Sequence, residues 1–209
     1  MNAQQELAYL ESSTNHVTRD LHNRLNWGFQ HLEPFTSETG RPPMTSFDYI
    51  MMFETQRDLG ERISETFNHI KEDFDINHRI AKIWNPKTAK GGYQKTTITP
   101  RFAPILENYL KRFSNSEQIW CINRQNAWRY LKDAGRMSGL DIFEEHEKHD
   151  IDGMWTHAFR KACSKDMQAK GASRELRMLK LRHSLKDAHD AYDKVDLNAL
   201  LKWEWENCQ

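Results

Sequence analysis

No hydrophobic run in the sequence approaches the roughly 18 residues a membrane span requires, which excludes a transmembrane protein. The opening residues, MNAQQELAYLESST, lack the basic and apolar regions of a secretion signal. Cysteine is scarce and odd in number: Cys121, Cys163 and Cys208 form no CxxC pair, and His146 and His149 have no cysteine nearby to complete a zinc site. These absences point to a reduced, cytoplasmic protein with neither metal nor cofactor. Net charge is missing too, since 30 Lys and Arg balance 30 Asp and Glu, and on its face that argues against nucleic-acid binding.

The distribution of charge says otherwise. From His157 to Lys186 there are nine Lys/Arg against Asp166 and Glu175, a net of +7, so the rest of the chain carries −7. A local basic face can bind phosphates within a neutral protein, because the local field sets phosphate contact; the alternative is a solvated helix face. With 209 residues, 38% hydrophobic and 29% charged, the chain is a soluble globular protein with room for one full domain and a small appendage.

Periodicity predicts a mainly helical protein with one small antiparallel sheet. Val17, Leu21, Leu25, Phe29 and Leu32 mark an amphipathic helix over 16–32, followed by the linker EPFTSETGRPP. Thr45 or Ser46 caps a helix expected to run to about Ile70, with Gly60 inside it. Residues 79–84 and 93–99 read as a hairpin around NPKTAKGG. Helices follow from Pro100 to Phe113, over 123–137, 155–170 and 173–181, about 185–192, and 197–206, with an acidic loop over 138–152.

The chemistry-bearing residues cluster towards the end of the chain. His157 and Arg160 stand three apart, on one helix face. Leu181-Arg182-His183 follows 23 residues after Arg160, and Tyr192 lies nine beyond His183. Upstream, Gly60-Glu61-Arg62-Ile63-Ser64-Glu65 precedes Asp73 and Asp75, and Lys87-Thr88 stands in the hairpin turn, 25 residues after Arg62. Singly, each is an ordinary feature: Arg-x-x-Glu on a helix is usually a surface ion pair, and a lysine in a turn is usually solvated. Their order, spacing and structural contexts agree together.

This constellation resembles the tyrosine recombinases, or phage-type integrases, over roughly residues 45–195. The His-x-x-Arg-Lys form is similar to archaeal and mobile-element members. The resemblance implies their mainly helical catalytic fold, and a division into 1–44 (a helix and linker, read as the remnant of a core-binding domain), 45–195 (catalytic) and 196–209 (a helical tail). It implies double-stranded DNA as partner, nucleoid association, and assembly as a dimer to tetramer in which the tail docks on a neighbouring subunit; docking on its own domain is the alternative. It also implies roles. Arg62 and Arg160 would clamp the phosphate, since guanidinium forks match its oxygens. Tyr192 would attack phosphorus to give a 3′-phosphotyrosyl link. His157 would serve as base, His183 as a phosphate donor, Glu65 as support and Lys87 as general acid, with Lys90 and Lys95 as alternatives. Lys161, Lys165, Arg182 and Lys186 would contact DNA.

The sequence departs from that family's pattern at several points. Arg182 replaces a glycine, so the turn differs or Arg182 adds a phosphate contact; Lys161 replaces a frequent histidine; and Glu61 stands where an apolar residue is usual. About 44 residues precede the Arg62 helix, fewer than the roughly 80–100 of a separate N-terminal domain, so the chain is expected to be a fragment or a minimal recombinase. Rival readings are a type IB topoisomerase or telomere resolvase, a catalytically inactive integrase-derived DNA-binding protein, and a helical scaffold that binds nucleic acid nonspecifically.

Overall fold

The computed structural model describes residues 19–32, 44–85, 92–139, 154–183 and 196–209. Its elements are α1 (Arg19–Gln30), α2 (Ser46–Leu59), α3 (Ile63–Thr66), a 3-10 turn (Lys71–Asp73), β1 (Phe74–Asp75), β2 (Ile80–Asn85) and β3 (Gly92–Thr97). Then come α4 (Ala103–Leu110), α5 (Arg124–Met137), α6 (Met154–Ala169), α7 (Arg174–Lys180) and α8 (Leu197–Asn207). The expected helix over 185–192 lies outside the described residues, as do residues 33–43 and 140–153.

Aromatic side chains build the core. Phe29 of α1 stacks with Phe53 of α2 (5.5 Å between ring centroids) and Tyr130 of α5 (5.8 Å), and Phe53 stacks on Phe159 of α6 (4.7 Å). The expected face of α5, Ala127, Tyr130, Leu131 and Ala134, is buried. Helices α1 and α5 approach closely at Gly28, where a Cβ would lie 2.1 Å from the Ala134 carbonyl oxygen.

Helix α2 opens on a capping box, in which the Asp48 backbone N–H donates to Thr45 Oγ1 and the Thr45 backbone N–H donates to Asp48 Oδ2. It does not continue to Ile70. Gly60 adopts φ +61°, the left-handed conformation that glycine enters without steric penalty, and the Glu61 N–H bonds back to the Gln56 carbonyl at 3.0 Å. Gly60 therefore ends the helix rather than bending it. A Cβ there would lie 2.7 Å from Leu181 Cδ2, so the same glycine admits the end of α7.

The sheet is antiparallel in the order β1-β2-β3, with Lys82 opposite Lys95 and Trp84 opposite Tyr93. β1 was not foreseen, being only two residues long. The helix expected from Pro100 begins at Ala103, with Pro104 in its first turn. No helix among the described residues is long and apolar enough to cross a membrane.

The tail, α8, docks on its own domain against α7 and β3. Leu200 is fully buried, and Glu204 accepts from Lys180 Nζ and Thr97 Oγ1, both at 2.7 Å. Burial opposes the Lys180 charge, yet the Glu204 carboxylate holds that ammonium above the usual lysine range. The basic stretch is not a solvated face. Arg160, Lys161, Arg177, Lys180 and Arg182 are all buried, and Lys170 and Arg174 are exposed.

Candidate functional site

The site forms where α2 and α7 end. A helix leaves its last carbonyls without intrahelical donors and carries partial negative charge there, so cations are favoured. Here two guanidinium groups meet those ends. Arg160 of α6 donates from Nη1 to the Gly60 carbonyl and from Nη2 to the Leu181 carbonyl, the latter at 2.7 Å. Arg182 donates from Nη1 to the carbonyls of Leu59 (2.9 Å) and Lys180 (3.2 Å), and from Nη2 to that of Gly60 (3.2 Å). The two arginines thus fasten α6, α2 and α7 together.

Backbone geometry explains how Arg182 stands where a glycine was anticipated. The Arg182 N–H bonds to the Leu179 carbonyl and the His183 N–H to the Met178 carbonyl, both at 3.0 Å, which is a Schellman ending for α7. Its left-handed position falls on Arg182, with φ +55°. The glycine's conformation is kept without the glycine. The strain of roughly 1–2 kcal/mol for an L-residue there is offset by the guanidinium's bonds. His183 follows directly, buried, its backbone fixed by the same motif.

Arg62 is positioned by a second helix end. It occupies the N-cap of α3 in extended conformation, and its N–H donates to Glu65 Oε2 at 2.8 Å. Its guanidinium meets Glu65 Oε1 at 3.1 Å, with about a quarter of the side chain exposed. Glu65 Oε2 also accepts from Arg182 Nη2 at 2.8 Å. One buried carboxylate therefore ties Arg62 to Arg182. Burial pushes that carboxyl up, but the charges of Arg182, Arg160 and Arg62 and the Arg62 N–H bond outweigh it and hold it at about 2.

A second buried network flanks Arg62 on its other side. Glu61, with no exposed surface, accepts from Thr66 Oγ1 at 2.9 Å and lies 2.5 Å from His69 Nε2. His69 Nδ1 is 3.4 Å from Asp73 Oδ2. Burial alone would pull the imidazole down; Glu61 and Asp73 reverse this and lift it to about 9.

No family model matches the chain, and no curated protein matches it in sequence. Two solved structures share its arrangement. One is the XerH site-specific recombinase bound to difH substrate in a pre-cleavage complex, with a TM-score of 0.56 and 12% identity over 81% of this chain and 47% of that one. The other is an integrase from mycobacterium phage Brujita, with a TM-score of 0.50 and 11% identity over 99% of this chain and 77% of that one. This is the tyrosine recombinase catalytic fold. The chain spans about half the length of the XerH recombinase.

On the tyrosine recombinase fold, the expected residues are placed differently from one another. Arg62, Glu65, Arg160, Arg182 and the backbone of His183 are linked by the contacts above. His157 is half-buried on α6, one turn before Arg160. Tyr192, Lys87, Lys90 and Lys186 lie outside the described residues. Lys95 is exposed in mid-strand on β3, opposite Lys82.

Two of the expected DNA contacts sit differently from a surface contact. Lys161 is buried, and burial draws its ammonium down to about 8. Arg182 directs its guanidinium to protein carbonyls and Glu65, with 2% of the side chain exposed. Lys165 is half-buried. The Glu61–His69–Asp73 network was not expected from the sequence, although Glu61 in an apolar position was its visible sign.

Proposed function

We propose that the chain is the catalytic part of a site-specific DNA recombinase, or integrase, that breaks and rejoins duplex DNA through a 3′-phosphotyrosyl link to Tyr192. The observation that carries this reading is the joining of the Arg62–Glu65 pair, Arg160 and the Arg182–His183 turn, from distant parts of the chain, at paired helix ends of the tyrosine recombinase fold. Attack at phosphorus places negative charge on the nonbridging oxygens, which the partly exposed Arg62 meets directly and Arg160, buried with both Nη groups on the Gly60 and Leu181 carbonyls, stabilises through its charge. Glu65 aims the Arg62 fork through its two contacts. His183 donates to a phosphate oxygen. His157 accepts the Tyr192 proton, since a free phenol titrates near 10. Lys87 protonates the departing 5′-oxygen. The tyrosyl ester retains the energy of the broken bond, so rejoining needs no added energy source.

Double-stranded DNA is the partner, and exchange between two duplexes calls for a dimer to tetramer on DNA. The test is a nicked duplex that traps the covalent intermediate. Wild type should give a denaturation-resistant protein–DNA adduct and Tyr192→Phe none. An adduct that persists in the variant reassigns the nucleophile, and DNA binding with no adduct from wild type favours an inactive integrase-derived binding protein.

A further inference from the structure

We infer that Glu61 and His69 are positioning residues for Arg62, fixing the turn from which its guanidinium is presented to the scissile phosphate. The inference rests on the recombinase reading above and adds residues to its site.

Glu61 directly precedes Arg62 and is held through all its polar groups. Its backbone N–H bonds to the Gln56 carbonyl (3.0 Å), and its own carbonyl accepts from Gln56 Nε2 (3.3 Å). One carboxylate oxygen meets His69 and the other accepts from Thr66. Thr66 also donates to the Arg62 carbonyl, from its backbone N–H (3.2 Å) and its hydroxyl (3.3 Å), so one residue of α3 grips both sides of the Glu61–Arg62 peptide. His69 is fixed in turn. Asp73 faces its other nitrogen, the Ile119 N–H donates to its carbonyl at 3.0 Å, and Phe74 and Trp120 pack on its ring. The charged groups around the imidazole are the two carboxylates of Glu61 and Asp73.

Stability alone does not account for such a network. Apolar side chains of similar volume in place of a buried ion pair are often neutral or stabilising. What the polar version adds is direction, because each hydrogen bond admits a narrow range of angles. It adds electrostatics as well. An unpaired carboxylate beside Arg62 would compete with a phosphate for the guanidinium, and the pairing with His69 neutralises Glu61 without using Arg62. The Arg62 guanidinium meets the Glu65 carboxylate.

The test compares wild type with the apolar double variant Glu61→Met/His69→Leu and with the near-isosteric Glu61→Gln, on the nicked-duplex substrate. DNA affinity, the single-turnover rate of adduct formation at saturating DNA and the melting temperature are each measured. The double variant should melt at or above the wild-type temperature and bind DNA within about threefold, yet form adduct more slowly by on the order of 100-fold, the scale of a misplaced catalytic group. Glu61→Gln should fall between the two, and it carries the test if the double variant does not fold. A folded variant that cleaves at the wild-type rate overturns the inference, as does a loss confined to DNA affinity. No adduct from wild type overturns the recombinase reading and this inference with it, and that outcome is distinct because it precedes any comparison of variants.

Discussion

Arg182→Gly puts the left-handed ending of α7 against the buried ion pair it carries. Glycine accepts φ +55° freely, so the change relieves about 1–2 kcal/mol. It also removes the Nη2 partner of Glu65, leaving a carboxylate that is 1% exposed with Arg62 as its remaining salt-bridge partner. Breaking one side of a buried pair typically costs about 3–5 kcal/mol. The net expectation is a loss of about 1–4 kcal/mol. At about 2–4 °C per kcal/mol for a domain of this size, the melting temperature should fall by roughly 2–16 °C.

Arg182→Ala keeps the strain and loses the pair, so it should lie about 1 kcal/mol below the glycine variant. The acid side gives an independent check. The Glu65 carboxyl is held at about 2, below the ordinary range, so its contribution is full above about pH 4.5 and is lost as pH falls through 2. Without Arg182 the folded carboxyl is held less low, so the acid loss is smaller and is complete at higher pH. Calorimetry and urea unfolding of the three proteins between pH 2.5 and 7 decide the matter. A glycine variant as stable as wild type would refute the energetic account of the bridge, and equal stability of the glycine and alanine variants would refute the strain component.

Other outcomes follow from the same contacts. Gly28→Ala forces a methyl against the Ala134 carbonyl between α1 and α5, and should lower the urea unfolding free energy by about 1–3 kcal/mol. Lys180→Met strands the buried Glu204 carboxylate and should cost about 3–5 kcal/mol, while Lys180→Met/Glu204→Leu recovers most of it, as thermal melts would show. His69 is held at about 9, so its contribution of up to about 3 kcal/mol is full below pH 6.5 and lost as pH rises through 9; His69→Gln should flatten that alkaline decline in melting temperature. Lys87→Ala should slow cleavage of an ordinary 5′-oxygen leaving group far more than that of a 5′-thio group, which needs no proton, and equal losses would remove Lys87 from the acid role.

Local patterns made much of the fold readable. The stripes of α1 and α5 and the Ser173 cap of α7 follow from periodicity and hydrogen-bonding side chains, and the hairpin follows from its turn residues. What sequence could not give was the meaning of residues whose role depends on distant partners. Gly60 reads equally as a kink or a stop until Leu181 is seen to need its missing Cβ. Arg182 reads as a surface cation until the carbonyls of α2 come within reach of its guanidinium. The +7 stretch looked like an exposed face, yet Arg160, Lys161, Arg177, Lys180 and Arg182 are buried, and Arg160 and Arg182 answer the negative ends of helices. Arg62, Arg160 and His183 were singled out by the family's spacing rather than by any local pattern.

His183 and Asp196 are fixed points on either side of a twelve-residue span that contains Tyr192. The first belongs to the α7 ending, and the second caps α8, which the Lys180–Glu204 contact clips to the body. Fully stretched, twelve residues reach about 40 Å. Under the proposed chemistry, a C-terminal helix far along the chain from the arginines anchors one end of the stretch that carries the nucleophile, as the α7 ending anchors the other.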